Sequence, residues 1–412
     1  MGSPSKPGLS SVSKKFLLFP SALVCLTLLF SGALFAQSDE WKRLNQEAVS
    51  LYQQGEYKRA ALAAQNALEI AERELGPNHP VVGVSLSNRA LLYRSLGQYA
   101  EAELLYKRAL AIVETALGPN HADVGTIIGS LAELYRDQGR YAQAEALYKR
   151  SVAIKEKALG PHHPSVATSL NNLALLYKAT GQYAQAEPLY KRALAIWEKA
   201  LGPEHPDVAQ GLNNLAALYY SRGDYARAEP LHKRALAIRE KLLGPHHPSV
   251  AQSLNELALL YATQNHYTWA EPLYRRSLAI REKIFGPDHP EVATTLNNLA
   301  ALYYSQRQYG QAEPLYKRAL TIWEKTLGPE HPKVATSVSN MAELYRVQGQ
   351  YAEAEPLYKR ALSILEKTVG PDHPDVATAL ENYAKLLRAM DRETEAIEME
   401  AQARAIRAKR VN

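Results

Sequence analysis

Ser165-Val-Ala-Thr-Ser-Leu-Asn-Asn-Leu-Ala-Leu-Leu-Tyr177, then Gly181-Gln-Tyr183, then Ala184-Gln-Ala-Glu-Pro-Leu-Tyr-Lys-Arg-Ala-Leu-Ala-Ile-Trp-Glu-Lys-Ala-Leu201, is one unit of a pattern that fills most of the chain. Gly-Pro follows it and recurs at Gly76, Gly118, Gly160, Gly202, Gly244, Gly286, Gly328 and Gly370, always 42 residues apart. Within the unit, Leu170, Leu173, Ala174 and Tyr177 keep the spacing of one helical face, as do Ala186, Leu189, Tyr190, Ala193, Leu194 and Ile196. Each unit therefore predicts two helices. Gly181 and Gly202 are expected to close them as left-handed caps, and Pro206 to open the next. Pro188, Pro230, Pro272, Pro314 and Pro356 are placed in the first turn of the second helix, where no N–H partner is lost.

Two columns of small residues set the packing. Ala174 has Ala at positions 48, 90, 132, 216, 258, 300, 342 and 384, and Ala186 has Ala at 60, 102, 144, 228, 270, 312, 354 and 396. Ala in both columns lets paired helices approach closely, and a bulkier side chain would overpack them. Tyr177, Tyr183 and Tyr190 fill the wider gaps, which explains most of the 25 Tyr. A helix pair cannot bury both faces alone, so the units must stack.

Leu170-x2-Leu173-Ala174-x2-Tyr177 followed by Ala186-x3-Tyr190 and Ala193 resembles the tetratricopeptide repeat. The 42-residue period, Leu-Asn-Asn-Leu-Ala and Leu-Gly-Pro-Glu-His-Pro-Asp-Val-Ala look like the repeats of kinesin light chains. The resemblance covers residues 41–412 as nine repeats. It implies an all-α, right-handed superhelical solenoid of stacked antiparallel helix pairs whose concave groove takes peptide segments. Domain organisation is then residues 37–412 as the solenoid, with 375–412 as a polar C-terminal capping repeat in which Glu393, Glu400 and Arg404 replace apolar residues.

Residues 1–36 differ from the rest. Lys6, Lys14 and Lys15 precede an apolar run from Phe16 to Phe35, which ends at Ala36 before Gln37-Ser-Asp39. These are the parts of a signal peptide, so export to a periplasm or secretion is expected. The run is also long enough for an uncleaved membrane anchor, and membrane contact is expected only if residues 16–36 are retained. Without this segment the net charge drops from +6 to +3, and Cys25 and four of the five Phe are lost. A mature chain without Cys has neither disulfide framework nor Cys-based zinc site.

Function is expected on the face of the first helix opposite its core, where Thr168, Asn172, Leu175 and Ala179 cluster. Stacking places Gln46, Asn88, Ser130, Asn172, Asn214, Glu256, Asn298, Asn340 and Asn382 in one row. An amide offers both donor and acceptor, and a row of them suits an extended peptide backbone. The other reading is that these amides hold adjacent repeats together, and that reading is preferred for Asn171, Asn213, Asn255 and Asn297. Beside the row, Arg94, Arg136, Lys178, Arg346 and Arg388 are expected to favour acidic partners.

Other features have structural explanations. His79, His121, His163, His205, His247, His289, His331 and His373 lie one repeat apart, too far to share a metal, and fit a loop or cap role before Pro. Each pair of basic residues, such as Lys107-Arg108 or Lys191-Arg192, follows a Glu by four residues, as on a solvated helix face rather than a nucleic-acid stripe. Trp197 and Trp323 are assigned to packing between repeats. No catalytic motif, metal site or cofactor site is read. The expected role is a non-catalytic scaffold or adaptor for protein or extended peptide segments. A membrane-tethered structural component of an envelope complex is the alternative, and a kinesin-light-chain-like cargo adaptor the weaker one.

Overall fold

The computed structural model describes residues 39–408, so the expected leader lies outside the described residues. They form α-helices joined by short turns: α1 (Asp39–Gln53), α2 (Tyr57–Leu75), α3 (Pro80–Ser95), α4 (Tyr99–Leu117), α5 (Ala122–Asp137) and α6 (Tyr141–Leu159). The series continues with α7 (Pro164–Ala179), α8 (Tyr183–Leu201), α9 (Pro206–Ser221), α10 (Tyr225–Leu243), α11 (Pro248–Thr263) and α12 (Tyr267–Phe285). It ends with α13 (Pro290–Ser305), α14 (Tyr309–Leu327), α15 (Pro332–Val347), α16 (Tyr351–Val369), α17 (Pro374–Ala389) and α18 (Glu393–Ala408). A 16-residue first helix and a 19-residue second helix, with their turns, fill the 42-residue period. The array is all-helical and built from consecutive pairs, as the sequence predicts. Two compact units are distinguished, one reaching to Leu257 and one beginning at Ala258.

The two alanine columns are the innermost feature of both units. All nine members of the Ala174 column and all nine of the Ala186 column are fully buried. Around them the core runs on from pair to pair. Val166, Ala167 and Leu170 of α7 join Ala193, Ile196 and Trp197 of α8, Val208, Ala209 and Leu212 of α9, and Ala235 and Ile238 of α10. Trp197 belongs to this packing, and a Cβ at Gly211 would sit 3.0 Å from its ring, so glycine there makes room for the indole. In the last pair, α18 buries Ala396, Ala403 and Ile406 and leaves Glu393, Glu395 and Arg404 exposed.

The turns correct two expectations. Gly181 is left-handed, at φ 78°, and the Gln182 N–H closes on the Tyr177 carbonyl at 2.8 Å. Gly202, however, combines φ 92° with ψ 155°. Pro203 denies its predecessor the helical range of ψ, and positive φ with extended ψ is open essentially to glycine alone. Pro188 is the second correction. The second helix starts at Tyr183, which puts Pro188, and with it Pro230, Pro272, Pro314 and Pro356, in the second turn rather than the first. One helical hydrogen bond is lost there. Ala184 and Pro188 are both exposed, so water can take the freed carbonyl.

The eight histidines are N-caps. In each, Nδ1 accepts the N–H two residues on, at distances from 3.0 Å (His331) to 3.3 Å (His79). The ring nitrogen thus does what an Asp or Ser oxygen does at other helix starts.

Candidate functional site

Within each unit the first helices of successive pairs touch: α3 with α5, α5 with α7, α7 with α9, α13 with α15, and α15 with α17. Second helices approach one another less closely, so the first helices lie on the inner side of each unit.

The outer side carries a regular set of ion pairs. Lys107, Lys149, Lys191, Lys233, Lys317 and Lys359 each reach the Glu four residues before, at 2.6–2.8 Å. The adjoining arginine turns the other way, to the preceding pair: Arg108 to Glu72, Arg150 to Glu114, Arg192 to Glu156, Arg234 to Glu198 and Arg318 to Glu282. The glutamates four residues before the basic pairs also take a hydroxyl. The Tyr177 hydroxyl donates to Glu145 at 2.9 Å, and Tyr135, Tyr219, Tyr303 and Tyr345 repeat the contact with Glu103, Glu187, Glu271 and Glu313. Hydrogen bonding from Lys149 chiefly, and from Tyr177, holds the Glu145 carboxyl below its ordinary range. These bonds fasten each pair to the next.

On the inner side the candidate amides divide. Asn88 donates to Asn45 at 3.2 Å, Asn214 to Asn171 at 2.8 Å and Asn340 to Asn297 at 3.0 Å, each reaching the preceding pair. Asn88 and Asn214 are buried, and all three hold the stack. Asn172, Asn298 and Asn382 are half-buried; Asn172 donates to Glu133 at 2.9 Å, and Lys385 donates to Asn382 at 2.9 Å.

The candidate cations are more engaged than their spacing implied. Arg94 binds Glu133 at 2.6 Å and Asp137 at 3.0 Å, while Arg136 takes Asp137 at 2.9 Å. Arg346 clasps Glu343 through two nitrogens at 2.7 and 2.8 Å, and Arg388 is paired with Glu393 and Glu400. Burial brings the half-buried Lys178 amine down to about 8; Glu256 opposes this and Arg136 adds to it.

A polar cluster that periodicity did not reveal lies where α9, α10 and α11 meet. His232 replaces the buried Tyr of other repeats and sits 2.9 Å from Asn213 Oδ1 and 3.9 Å from Glu256. Beside it, buried Arg239 donates to the Ser249 carbonyl at 3.0 Å, Ser253 at 2.9 Å and Gln210 at 2.8 Å. The signal was present in the sequence as a coincidence of exceptions: His232 breaks the Tyr column where Glu256 breaks the amide row. Among the described residues, no group of three or more His, Cys, Asp or Glu could hold a metal ion, and no helix is long and apolar enough to cross a membrane.

The model of the tetratricopeptide repeat matches over residues 44–115, 105–157, 123–199, 165–241, 207–283, 267–325, 291–345 and 333–409. The chain belongs to the tetratricopeptide repeat family. Among solved structures, it is similar to nearly identical repeats of a putative kinesin light chain from Podosopora anserina, at 32% identity and a TM-score of 0.42, over 50% of this chain and 97% of that one. BtubC (BKLC) from P. vanneervenii is 29% identical, with a TM-score of 0.45, over 59% of this chain and 92% of that one. A Rap protein solved in complex with Competence and Sporulation Factor shares the fold at a TM-score of 0.59 and 14% identity, over 91% of this chain and 99% of that one. No curated protein matches the chain. Tetratricopeptide repeats with kinesin-light-chain-like neighbours are thus what the sequence resemblance anticipated.

Proposed function

We propose that this tetratricopeptide array is a non-catalytic scaffold or adaptor that binds protein or extended peptide segments along the inner face of its first helices. The observation that carries the reading is the contrast between the two sides. Outside, every Lys-Glu step and most arginines are paired in a regular lattice, and the second helices offer water a neutralised surface. Inside, among the described residues, there is no such lattice: Asn172, Asn298, Asn382, Arg136 and Lys178 set half-buried amides and cations along the first helices, with Asn172 engaged by Glu133 and Arg136 by Asp137. Amides at helix-pair spacing bind backbone rather than a particular side chain, which suits a partner defined by extension.

Hydrogen–deuterium exchange tests the reading, with a 12-residue peptide selected from a random library against the full chain. Protection is expected in the first helices α5, α7 and α9; protection confined to α6, α8 and α10 overturns it.

The protein is further proposed to work after export, in a periplasm or secreted, with residues 1–36 removed; the run from Phe16 to Phe35 supports this. Retention of residues 16–36 would instead make it a membrane-tethered component. Fractionation with N-terminal sequencing decides: a mature start near Gln37 fits export, and an intact N-terminus in the membrane fraction fits the tether.

A further inference from the structure

The turn between α11 and α12 departs from the repeat at three positions. Asn265 stands in the place of Gly181, His266 in that of Gln182 and Trp269 in that of Gln185. The Asn265 side chain accepts from the Tyr267 hydroxyl at 2.7 Å, which ties the left-handed turn residue to the first residue of α12. Trp269 lies almost parallel to His266, with ring centres 4.6 Å apart and planes at 14°. It also meets the buried Tyr261 ring edge to face at 5.3 Å. The Trp269 side chain is still 55% exposed, whereas Trp197 and Trp323 are buried in the core.

Packing does not call for an indole here. Gln143, Gln185 and Gln311 hold the Trp269 position in pairs of the same construction. What other pairs place against the equivalent tyrosine is more informative. Arg140, in the His266 position, sets its guanidinium carbon 3.8 Å from the centre of the Tyr135 ring. Arg227, in the Trp269 position, does so 4.3 Å from the centre of the Tyr219 ring. Tyr135, Tyr219 and Tyr261 are one position of the repeat. The third and fifth pairs thus supply their own cation to the aromatic face at this turn. The sixth pair has no Lys or Arg between Thr263 and Trp269 and adds two rings instead. Ring faces are the negative side of the aromatic quadrupole, that of Trp most strongly, so the substitution leaves a surface that attracts a cation. Backed by His266 on one face and otherwise half open, the indole is a platform and not a cage. A planar guanidinium stacks on a platform, whereas a compact, strongly hydrated ammonium gains more from enclosure.

We propose that Trp269, supported by His266 and Tyr261, is a docking platform for an arginine side chain of a protein partner. The partner's guanidinium fills the role that Arg140 and Arg227 fill in the third and fifth pairs. The platform lies at a turn, away from the amide row, so it stands or falls independently of the groove.

The test follows the fluorine NMR signals of the full chain, labelled with fluorotryptophan, as a capped Gly-Arg-Gly-Arg-Gly peptide is added. Trp269→Gln, which restores the residue of the fourth pair, identifies the Trp269 signal. That signal should shift saturably while those of the buried Trp197 and Trp323 stay in place. The same peptide with citrulline for arginine keeps the shape and loses the charge, and it should bind at least about threefold more weakly. His266→Ala, at an exposed position, should weaken the arginine peptide by a similar factor with the helical signal unchanged. Absence of a saturable shift at Trp269 overturns the proposal. An equal response to the citrulline peptide makes the contact apolar rather than cationic and overturns it too. A Trp269 signal that moves with protein concentration alone, and not with peptide, gives the platform to a second copy of the chain and likewise overturns it.

Discussion

Residue chemistry decides how each repeat departs from its neighbours. Arg307 occupies the turn position filled by Gly181 in the fourth pair and holds φ 60°; Asn265 and Asp391 do the same at 62° and 59°. Asn and Asp tolerate this region through local hydrogen bonding, whereas a long side chain meets its own backbone there. Arg307→Gly should therefore raise stability by about 1 kcal/mol, read as a higher denaturant midpoint. An unchanged or lowered midpoint would show that contacts of the Arg307 side chain outweigh the strain. His232 makes a second residue-scale prediction. Burial, with Arg239 and Lys178 nearby, lowers its imidazole to about 3, although Glu256 lies 3.9 Å away. A folded value below the unfolded one means that stability falls as pH drops below about 6.5, when only the unfolded chain takes the proton. His232→Tyr, which restores the residue of six other repeats, should flatten the melting-temperature profile between pH 6.5 and 4.5 relative to wild type. An identical slope in both proteins would contradict the assignment. The eight cap histidines were placed by sequence, but their Nδ1 acceptor role was not, because cap preference is written in side-chain oxygens.

At the scale of the helix and its neighbour, the Tyr–Glu–Lys latch is the recurring device. Tyr177 of α7, Glu145 and Lys149 of α6 form one instance, with a hydroxyl on one pair and both charges on the preceding one. Tyr177→Phe should cost about 0.5–1.5 kcal/mol, measured by denaturant unfolding, since it removes one partly buried hydrogen bond and leaves the ring. No loss at all would mean that the ring packs the interface without help from the bond. The latch glutamates also set an acid limit. Hydrogen bonding from Lys359 and Arg392 lowers Glu355 to about 2, so its stabilising effect is full above about pH 4.5 and fades as pH falls toward 2. Glu355→Gln should reduce stability at pH 7 and converge on wild type near pH 2. The helices themselves were legible because their apolar faces repeat with the period. The second-helix start was read a turn late, because Pro188 suggests a first turn and the exposed outer face tolerates it in the second.

For the molecule as a whole, repetition made the fold readable: one unit solved is nine units solved, and two alanine columns carry the packing throughout. The candidate site was less readable. Arg94 meets Glu133 across 39 residues and Asn214 meets Asn171 across 43, offsets fixed by how neighbouring pairs stack rather than by the 42-residue period. A row of like residues thus looks uniform in sequence while every third member, Asn88, Asn214 and Asn340, is tied to an amide of the preceding pair, and Asn172, Asn298 and Asn382 stay half-buried on the inner side. The central claim is that the second group binds. It is tested most directly by the affinity of a selected peptide for two double variants, Asn172→Ala with Asn298→Ala on the inner side, and Lys191→Ala with Lys233→Ala on the outer side. The account predicts at least about tenfold weaker binding for the inner pair, with helical signal retained, and no change for the outer pair. Binding that survives the inner substitutions and is lost with the outer ones would contradict it.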